Sequence, residues 1–393
     1  MRVLDLTRLL PGGFATALLA DLGAEVVKVE QPGVGDYMRW KRPGIGGTSG
    51  QSWITDRNKR SVAIDLKSST GNEAFRRLAA GADVVMESFR PGVVGRLGIG
   101  YEDLAEDNPA LVYCSISGYG QSGPLVAEAG HDINYVGRAG LLSITGPADG
   151  RPAIPGVQIG DIGGGGLTSL VGVLAALLRA RETGQGDHVD VSLTDAAFSF
   201  LSVQLGIHWA SGAVPGRETQ LLNGRFPCYN VYECADGRFL TVGAIEERFF
   251  AALCAAVGRT ELEGTRLDAA AVPRWRELFL ERPAAEWLRL FDGADACVGP
   301  VNDFAEAAAD PQLVHREMAV TAADPDGDAR PQLGTAVKLR NRPASIRTPA
   351  PRLGEHTREC LAAAGYGEGE LERLLAEGAI AEPDPAPPTG AAD

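Results

Sequence analysis

The stretch RVLDLTRLLPGGFATALLADLGAEVVKV, residues 2–29, decides the fold. Its first five residues are mostly apolar and predict a buried strand, and residues 25–29 predict a second one. Between them, Phe14 to Leu22 has the apolar spacing of a helix, after an expected break at Pro11-Gly12-Gly13. Strand, helix and strand in this order predict a β-α-β unit, and therefore a parallel sheet with a right-handed crossover.

Outward from this unit, the same alternation continues along the first third of the chain. Strand-like runs at 61–66, 83–87 and 111–116 alternate with helical patterns at 71–80 and 101–106. The predicted fold class is therefore α/β, with a Rossmann-like large domain built on a parallel sheet. The first turn lacks the G-x-G-x-x-G fingerprint, which disfavours an NAD-dependent enzyme.

The character of the sequence changes after an apolar helical pattern from Leu193 to Ala210. Two strand-like runs, Tyr229–Glu233 and Phe239–Val242, flank a short turn and predict an antiparallel hairpin. We therefore predict a smaller α+β domain at 222–320 and a discontinuous large domain at 1–200 and 325–365. Residues 382–393 are rich in Pro, Ala, Gly and Asp, and we expect a disordered tail there.

Composition narrows the class of protein. The 393 residues carry a formal net charge of −14, which argues against nonspecific binding to nucleic acid or to an anionic membrane. The six cysteines form no C-x-x-C, and no metal site is indicated. The most apolar helical pattern, Gly166 to Leu178, is too short to span a bilayer. No secretory signal opens the chain, so we expect a cytoplasmic protein.

Three acid–base residues stand beside glycines. His131 lies in Ala129-Gly130-His131-Asp132-Ile133-Asn134-Tyr135, and Asp161 precedes a run of four glycines. Glu246 ends Gly243-Ala244-Ile245-Glu246, which follows a strand-like run. Alone, each has a structural explanation: a buried histidine, a helix cap and first-turn charge. Glycine lets a backbone approach a ligand closely, so the shared setting favours one site. Convergence would allow proton removal from one face of a carbon and return to the other.

Basic residues follow two of the predicted strands. Lys67 comes just after the strand at 61–66, and Arg90 and Arg96 follow the strand at 83–87. The carboxyl ends of parallel strands line the ligand crevice of an open α/β sheet, so these side chains are candidates for binding a pyrophosphate. Solvated surface charge is the alternative explanation.

Several motifs together resemble a known family. The chain is similar to α-methylacyl-CoA racemases of the family III CoA-transferase superfamily, CaiB/BaiF type, over roughly residues 1–365. The superfamily resemblance rests on Asp21–Val29, Asn58–Ser61, Asp65–Lys67, Arg90–Val93, Gly118–Pro124 and Gly160-Asp161. The racemase branch is marked by Ala129–Tyr135, Tyr232–Gly237 and Val242–Glu246. Gln31 stands where many members of the superfamily carry Arg, and Val157 stands where racemases carry Asn.

The resemblance implies a function and a set of roles. It implies inversion of the α-carbon of 2-methylacyl-CoA thioesters through an enolate, with His131 and Glu246 serving one face and Asp161 the other. It assigns coenzyme A to Leu66, Lys67, Arg90 and Arg96, and further substrate contacts to Asp132 and Tyr135. It also implies an interlocked homodimer, with Glu246 approaching His131 from the partner chain. Coenzyme A is part of the substrate, so no separate cofactor is expected.

The enolate needs hydrogen-bond donors, because a proton next to a thioester is far less acidic than an imidazolium. Backbone N–H groups near Asp132 and Asp161 are the candidate donors. Two other functions stay open. A family III CoA-transferase would use Asp161 as a nucleophile that forms a mixed anhydride, and would not need His131 or Glu246. A noncatalytic acyl-CoA-binding protein would bind the thioester without exchanging its α-proton.

Overall fold

The computed structural model describes residues 1–45 and 48–383, which form two compact units. The larger unit contains Met1–Ala139, Val157–Ser199 and the chain from Pro311, and the smaller unit contains Gly140–Gly156 and Phe200–Asp310. The predicted boundaries were wrong for 140–156, which belong to the smaller unit, and for 311–320, which belong to the larger one. The expected disordered tail lies outside the described residues except for Glu382 and Pro383.

The strands of the described residues are numbered in chain order. They are β1 Arg2–Leu6, β2 Glu25–Glu30, β3 Gly44–Ile45, β4 Thr48–Ser49, β5 Lys59–Ile64, β6 Val84–Glu87, β7 Val112–Ser117, β8 Asp187–Ser192, β9 Asn230–Glu233, β10 Phe239–Val242, β11 Val298–Pro300, β12 Ala319–Ala323, β13 Ala329–Leu333 and β14 Ile380–Ala381.

The α-helices are numbered in the same way. They are α1 Leu10–Asp21, α2 Gly50–Thr55, α3 Ser69–Ala80, α4 Val93–Arg96, α5 Tyr101–Ala105, α6 Asp132–Arg138, α7 Thr168–Thr183, α8 Leu193–Ser199, α9 Ser202–Ser211, α10 Glu247–Ala256, α11 Val272–Phe279, α12 Ala284–Phe291, α13 Phe304–Ala309, α14 Pro311–His315, α15 Thr357–Ala363 and α16 Glu368–Ala376. A π-helical segment, Ile159–Leu167, runs directly into α7, and 3-10 turns lie at Tyr37–Trp40, Leu141–Ile144, Leu221–Asn223, Thr260–Thr265 and Ala269–Ala271.

The larger unit is built on a seven-stranded sheet in the order β14-β5-β2-β1-β6-β7-β8. Every pairing is parallel except that of β14 with β5. Side chains alternate between two apolar cores, with Leu4 on one face and Val3 on the other. The predicted α/β class with a parallel sheet is confirmed. The strand order reverses at β1, which places the ligand crevice of this fold type at the carboxyl ends of β1 and β6.

The first helix begins earlier than the sequence pattern predicted. Pro11-Gly12-Gly13 was expected to break the chain, but α1 begins at Leu10 and includes all three residues. A proline fits the first turn of a helix because its missing N–H has no intrahelical acceptor there. A Cβ on Gly12 would lie 2.2 Å from the side chain of Thr7, so the glycine permits a close approach to the end of β1.

The helix that carries Asp161 is also longer than predicted. Helical structure runs over 25 residues, Ile159–Thr183, and is by length and composition apolar enough to cross a membrane. A core helix of a soluble protein passes the same test, and this one packs on α1, α8 and β7. Its glycines were expected to admit a ligand, but a Cβ on Gly165 would lie 2.3 Å from Leu193. These glycines therefore let helices pack closely.

The smaller unit has its own sheet and core. The predicted hairpin of β9 and β10 is antiparallel, and an unpredicted third strand, β11, extends it. Tyr232, Trp275 and Phe279 are buried at the centre of its core. The pattern at 193–210, expected to be one helix, is divided into α8 and α9 at the boundary between the units.

Candidate active site

Tyr135 on α6 anchors the loop that leads to His131. Its side chain is buried, and its hydroxyl donates to the Gly130 carbonyl. A Cβ on Gly118 would lie 2.5 Å from the Tyr135 ring, and a Cβ on Gly130 would lie 2.7 Å from it. Both glycines are therefore needed for this packing. The ring of Tyr119 meets it edge-on at 5.3 Å. Tyr135 was predicted to contact the substrate, but its hydroxyl already positions the loop through Gly130.

His131 is the last residue before α6 begins. Its backbone is extended, and its N–H donates to Oδ1 of Asn134 at 3.0 Å. The imidazole itself is exposed, so the histidine is not a buried structural residue within this chain. The fold thus presents a titratable ring at the amino end of a helix.

Asp161 lies against the start of the same helix. Its N–H donates to Oδ1 of Asp132 at 2.9 Å. Gly160 permits this approach, because a Cβ there would lie 3.0 Å from the same carboxylate oxygen. Burial and the charge of Asp132 raise the pKa of Asp161 from 3.8 to about 6, while His131 acts in the opposite direction. The structure therefore brings His131, Asp132 and Asp161 together.

The hydrogen bond between Asp161 and Asp132 changes the expected enolate donors. Backbone N–H groups near Asp161 were candidate donors, but the N–H of Asp161 itself already donates to the Asp132 carboxylate. The Asp132 N–H opens α6 and has no intrahelical acceptor. This N–H lies at the positive end of the helix dipole and is a candidate donor at one of the two predicted places.

The predicted coenzyme A residues all lie in the larger unit, at the ends of β5 and β6. Leu66 is half-buried against the core, and Lys67, Arg90 and Arg96 are exposed. None of these three cations forms an ion pair within residues 1–45 and 48–383, and Arg90 is close enough to lower the pKa of Tyr135. Burial nevertheless raises that pKa, with the help of Asp161, to about 12.

Other basic residues of the same region are structural. Arg57 and Lys59 precede Lys67 in the chain, but both of their side chains are buried. Arg57 pairs with Asp21 at 2.7 Å, and Lys59 pairs with Asp5 at 3.0 Å. They stabilise the sheet instead of facing a ligand.

A buried charge cluster joins β2 to the segment before β5. Nζ of Lys28 lies 2.7 Å from Asp36 and 3.0 Å from Asp56. Burial raises the pKa of Asp56, but Lys28 and Lys59 lower it more, so the carboxyl stays ionised. This cluster was not predicted, because a charged residue in a strand-like run does not indicate which residue pairs with it.

Glu246 belongs to the smaller unit, unlike the other predicted site residues. It immediately precedes α10, and its carbonyl accepts from the N–H groups of Phe249 and Phe250 at 3.1 Å. Its side chain makes no capping hydrogen bond and is exposed. The carboxylate is therefore not needed to cap the helix.

Two residues near the site were not singled out from the sequence. Arg138 ends α6, and its guanidinium lies 6.0 Å from the centre of the Tyr119 ring. Glu87 ends β6 with 2 % of its surface exposed, and its carboxylate accepts from the Phe89 N–H at 2.6 Å. A buried acid at the end of a strand is a usable sequence signal when a basic residue follows it closely, as Arg90 does here.

Comparison with known proteins gives a consistent family. A family model described as CoA-transferase family III matches residues 1–357. Succinyl-CoA:glutarate CoA-transferase of Mus musculus is 36 % identical over 97 % of this chain and 89 % of that protein. Alpha-methylacyl-CoA racemase of Mus musculus is also 36 % identical, over 95 % of each chain. This chain is thus equally similar in sequence to a transferase and to a racemase.

A solved structure agrees with this assignment. The crystal structure of a CAIB/BAIF family protein from Brucella suis superposes with a TM-score of 0.81 at 31 % identity. The match covers 93 % of this chain and 98 % of that one. The fold is therefore shared over almost the whole length.

Proposed function

Because this chain belongs to CoA-transferase family III, we propose that it inverts the α-carbon of a 2-methylacyl-CoA thioester. His131 removes or returns the proton on one face, and Asp161 does so on the other. The Asp132 N–H stabilises the enolate oxygen. The carboxyl of Asp161, half-buried beside Asp132 and within the electrostatic reach of His131, is the observation that carries the proposal.

The protonation of Asp161 supports an acid–base role. Inversion needs one group that accepts a proton while the other donates one. A general acid–base catalyst works best when its pKa lies near the operating pH. The pKa of about 6 brings the Asp161 carboxyl close to the ordinary pKa of an imidazole, so both protonation states of the carboxyl are accessible near neutral pH.

The charges at the strand ends support binding of coenzyme A. Lys67, Arg90 and Arg96 are exposed cations at the carboxyl side of β5 and β6. Guanidinium and ammonium groups bind phosphate oxygens by charge-assisted hydrogen bonds. The acyl-CoA is the substrate, and the proposed chemistry needs no further cofactor.

A homodimer is part of the proposal. One face of the helix at 159–183 exposes four large apolar side chains at helical spacing: Leu167, Val171, Leu174 and Leu178. An apolar stripe of this length on a soluble protein favours a protein partner. In the proposed dimer, Glu246 of one chain stabilises the imidazolium of His131 in the other, and chain exchange between inactive His131→Ala and Glu246→Ala variants restores activity.

CoA transfer is the second candidate, because a transferase is as similar to this chain as a racemase is. In that reaction the Asp161 carboxylate attacks the thioester carbonyl and coenzyme A leaves as the thiolate. With a pKa of about 6, the Asp161 carboxyl is largely ionised above neutral pH and fits both roles, so the exposed His131 beside it is the feature that favours the acid–base role. His131 would have no chemical role in the transfer.

One experiment separates the candidates. The enzyme is incubated in D₂O with 2-methylacyl-CoA thioesters of several chain lengths, and separately with succinyl-CoA and free glutarate. The proposal predicts deuterium at the α-carbon and loss of optical purity, with no coenzyme A moved to glutarate. Transfer without deuterium would establish the second candidate. Binding of the thioester with neither outcome would leave only a binding protein.

A further inference from the structure

The turn after β6 holds Arg90, and a buried acid lies directly behind it. We propose that Glu87 is a positioning residue for Arg90, which it fixes through the backbone of the turn and through a polar row across three strands. The inference rests on the proposed coenzyme A site, in which Arg90 contacts the ligand. Glu87 itself touches no substrate.

The first link is local. Oε2 of Glu87 accepts from the Phe89 N–H at 2.6 Å, and the Arg90 carbonyl in turn accepts from the Val93 N–H at 3.1 Å. Gly92 has a φ of 80°, which lets the chain turn into α4. A backbone bonded on both sides of Arg90 limits the directions in which its side chain can extend.

The second link runs across the sheet. Glu87 on β6 is in register with Ser115 on β7, and Ser115 is in register with Asp190 on β8. The Ser115 hydroxyl hydrogen-bonds to Glu87 and lies 2.9 Å from Nε2 of His188. Asp190 accepts from the Gln121 N–H at 3.0 Å, in the loop that leads to His131. One polar row therefore joins the turn that carries Arg90 to the loop that carries the histidine.

The charge on Glu87 decides how strong the first link is. Glu87 forms no ion pair within residues 1–45 and 48–383. Burial is the main cause that raises its pKa to about 7, and the charge of Asp190 adds to it. The titratable groups that face Glu87 are Tyr113 and Cys114 on β7 and His188 and Asp190 on β8. Two carboxylates of α5 act on these groups in turn: the charge of Glu102 acts on His188, and the charge of Asp103 acts on Tyr113. An ionised carboxylate accepts a stronger hydrogen bond than a neutral carboxyl does. The turn is therefore held most firmly above neutral pH.

Ser115 transmits the change. When Glu87 is ionised, the Ser115 hydroxyl donates to it and accepts from Nε2–H of His188. When Glu87 is protonated, it donates to Ser115, and Ser115 donates to an unprotonated Nε2. Burial lowers the pKa of His188, so the ring stays neutral and changes tautomer only. The proton added to Glu87 thus reverses the hydrogen bonds of the row.

The test is coenzyme A binding by calorimetry from pH 6 to 8.5, in the wild type, in Glu87→Gln and in the exposed control Glu73→Gln. The phosphate of coenzyme A also titrates in this range, so the difference between proteins is the quantity of interest. We expect the wild type and the control to gain affinity through pH 7 by about three- to tenfold more than Glu87→Gln does. Equal pH profiles in all three proteins would overturn the proposal.

A double-mutant cycle with Arg90→Met separates positioning from a general structural effect. We expect Glu87→Gln to have no effect on binding once Arg90 is replaced. An unchanged effect in the Arg90→Met protein would overturn the proposal, and Ser115→Ala replaces Glu87→Gln if that variant does not fold. A wild type that binds no coenzyme A would instead refute the proposed function, so the two failures are distinguishable.

Discussion

Replacing Asp132 by Asn tests why Asp161 titrates near neutrality. The pKa of Asp161 is raised from 3.8 to about 6, first by burial and second by the charge of Asp132. Asn keeps an oxygen that accepts from the Asp161 N–H, so the 2.9 Å contact survives while the charge is lost. Burial remains, and it is the larger cause. We therefore expect the pKa of Asp161 in Asp132→Asn to fall only to ~5, a change worth about 1.4 kcal/mol.

The assay is the pH dependence of α-deuteration in the variant and in the wild type. The acidic limb of the rate profile is expected near pH 6 in the wild type and about one pH unit lower in Asp132→Asn. The matched control is Asp103→Asn on α5, which leaves this limb in place. An unmoved limb in Asp132→Asn would refute the assigned electrostatic role of Asp132, and a limb moved to higher pH would refute the direction of the effect.

Three further variants test the packing and electrostatics. The raised pKa of the Asp161 carboxyl stabilises the fold below pH 3.8, and that stability is lost as the pH rises through about 6. We therefore expect urea unfolding to show that Asp161→Asn is more stable than the wild type by about 1–2 kcal/mol at pH 8, and equally stable at pH 3.5. Lys28→Met leaves the buried carboxylate of Asp36 without a cation and leaves Asp56 with Lys59 alone, and it should cost about 3–5 kcal/mol. Arg274→Met at an exposed pair should cost under about 1 kcal/mol, and equal losses would contradict the burial argument. Gly165→Ala places a Cβ 2.3 Å from Leu193 and should lower the free energy of unfolding by about 1–3 kcal/mol. The control Gly206→Ala on α9 has open space around its Cβ and should be neutral or stabilising. A neutral Gly165→Ala would show that α8 can shift.

The elements that the sequence predicted well are those whose apolar period decides their burial. The strand at 2–6 lies at the centre of the sheet and is buried on both faces, so most of its residues are apolar and the strand is recognisable without knowledge of its neighbours. The hairpin of β9 and β10 is equally local. By contrast, the glycines after Pro11 indicated a break although α1 includes them, because Gly12 is required by the closeness of Thr7 at the end of β1 and not by a turn.

The candidate site was predictable in its residue types but not in its hydrogen bonds. The histidine and the aspartate were recognisable from their motifs, and the structure places both at the start of α6. Backbone N–H groups near Asp161 were predicted as candidate donors, although the N–H of Asp161 itself donates to Asp132. Tyr135 was predicted to face the substrate, although Gly130 accepts from its hydroxyl. Partners about thirty positions away in the chain, or hidden by a tight turn, leave no periodic signal.

The most direct test of opposed proton transfer is deuterium uptake by the His131→Ala enzyme from each pure enantiomer of one 2-methylacyl-CoA, with His315→Ala as the exposed-histidine control. If imidazole and carboxyl work on opposite faces, the variant labels the enantiomer served by Asp161, without inverting it, and leaves the other enantiomer unlabelled. Equal labelling of both enantiomers by His131→Ala, or continued inversion at the wild-type rate, would contradict the mechanism.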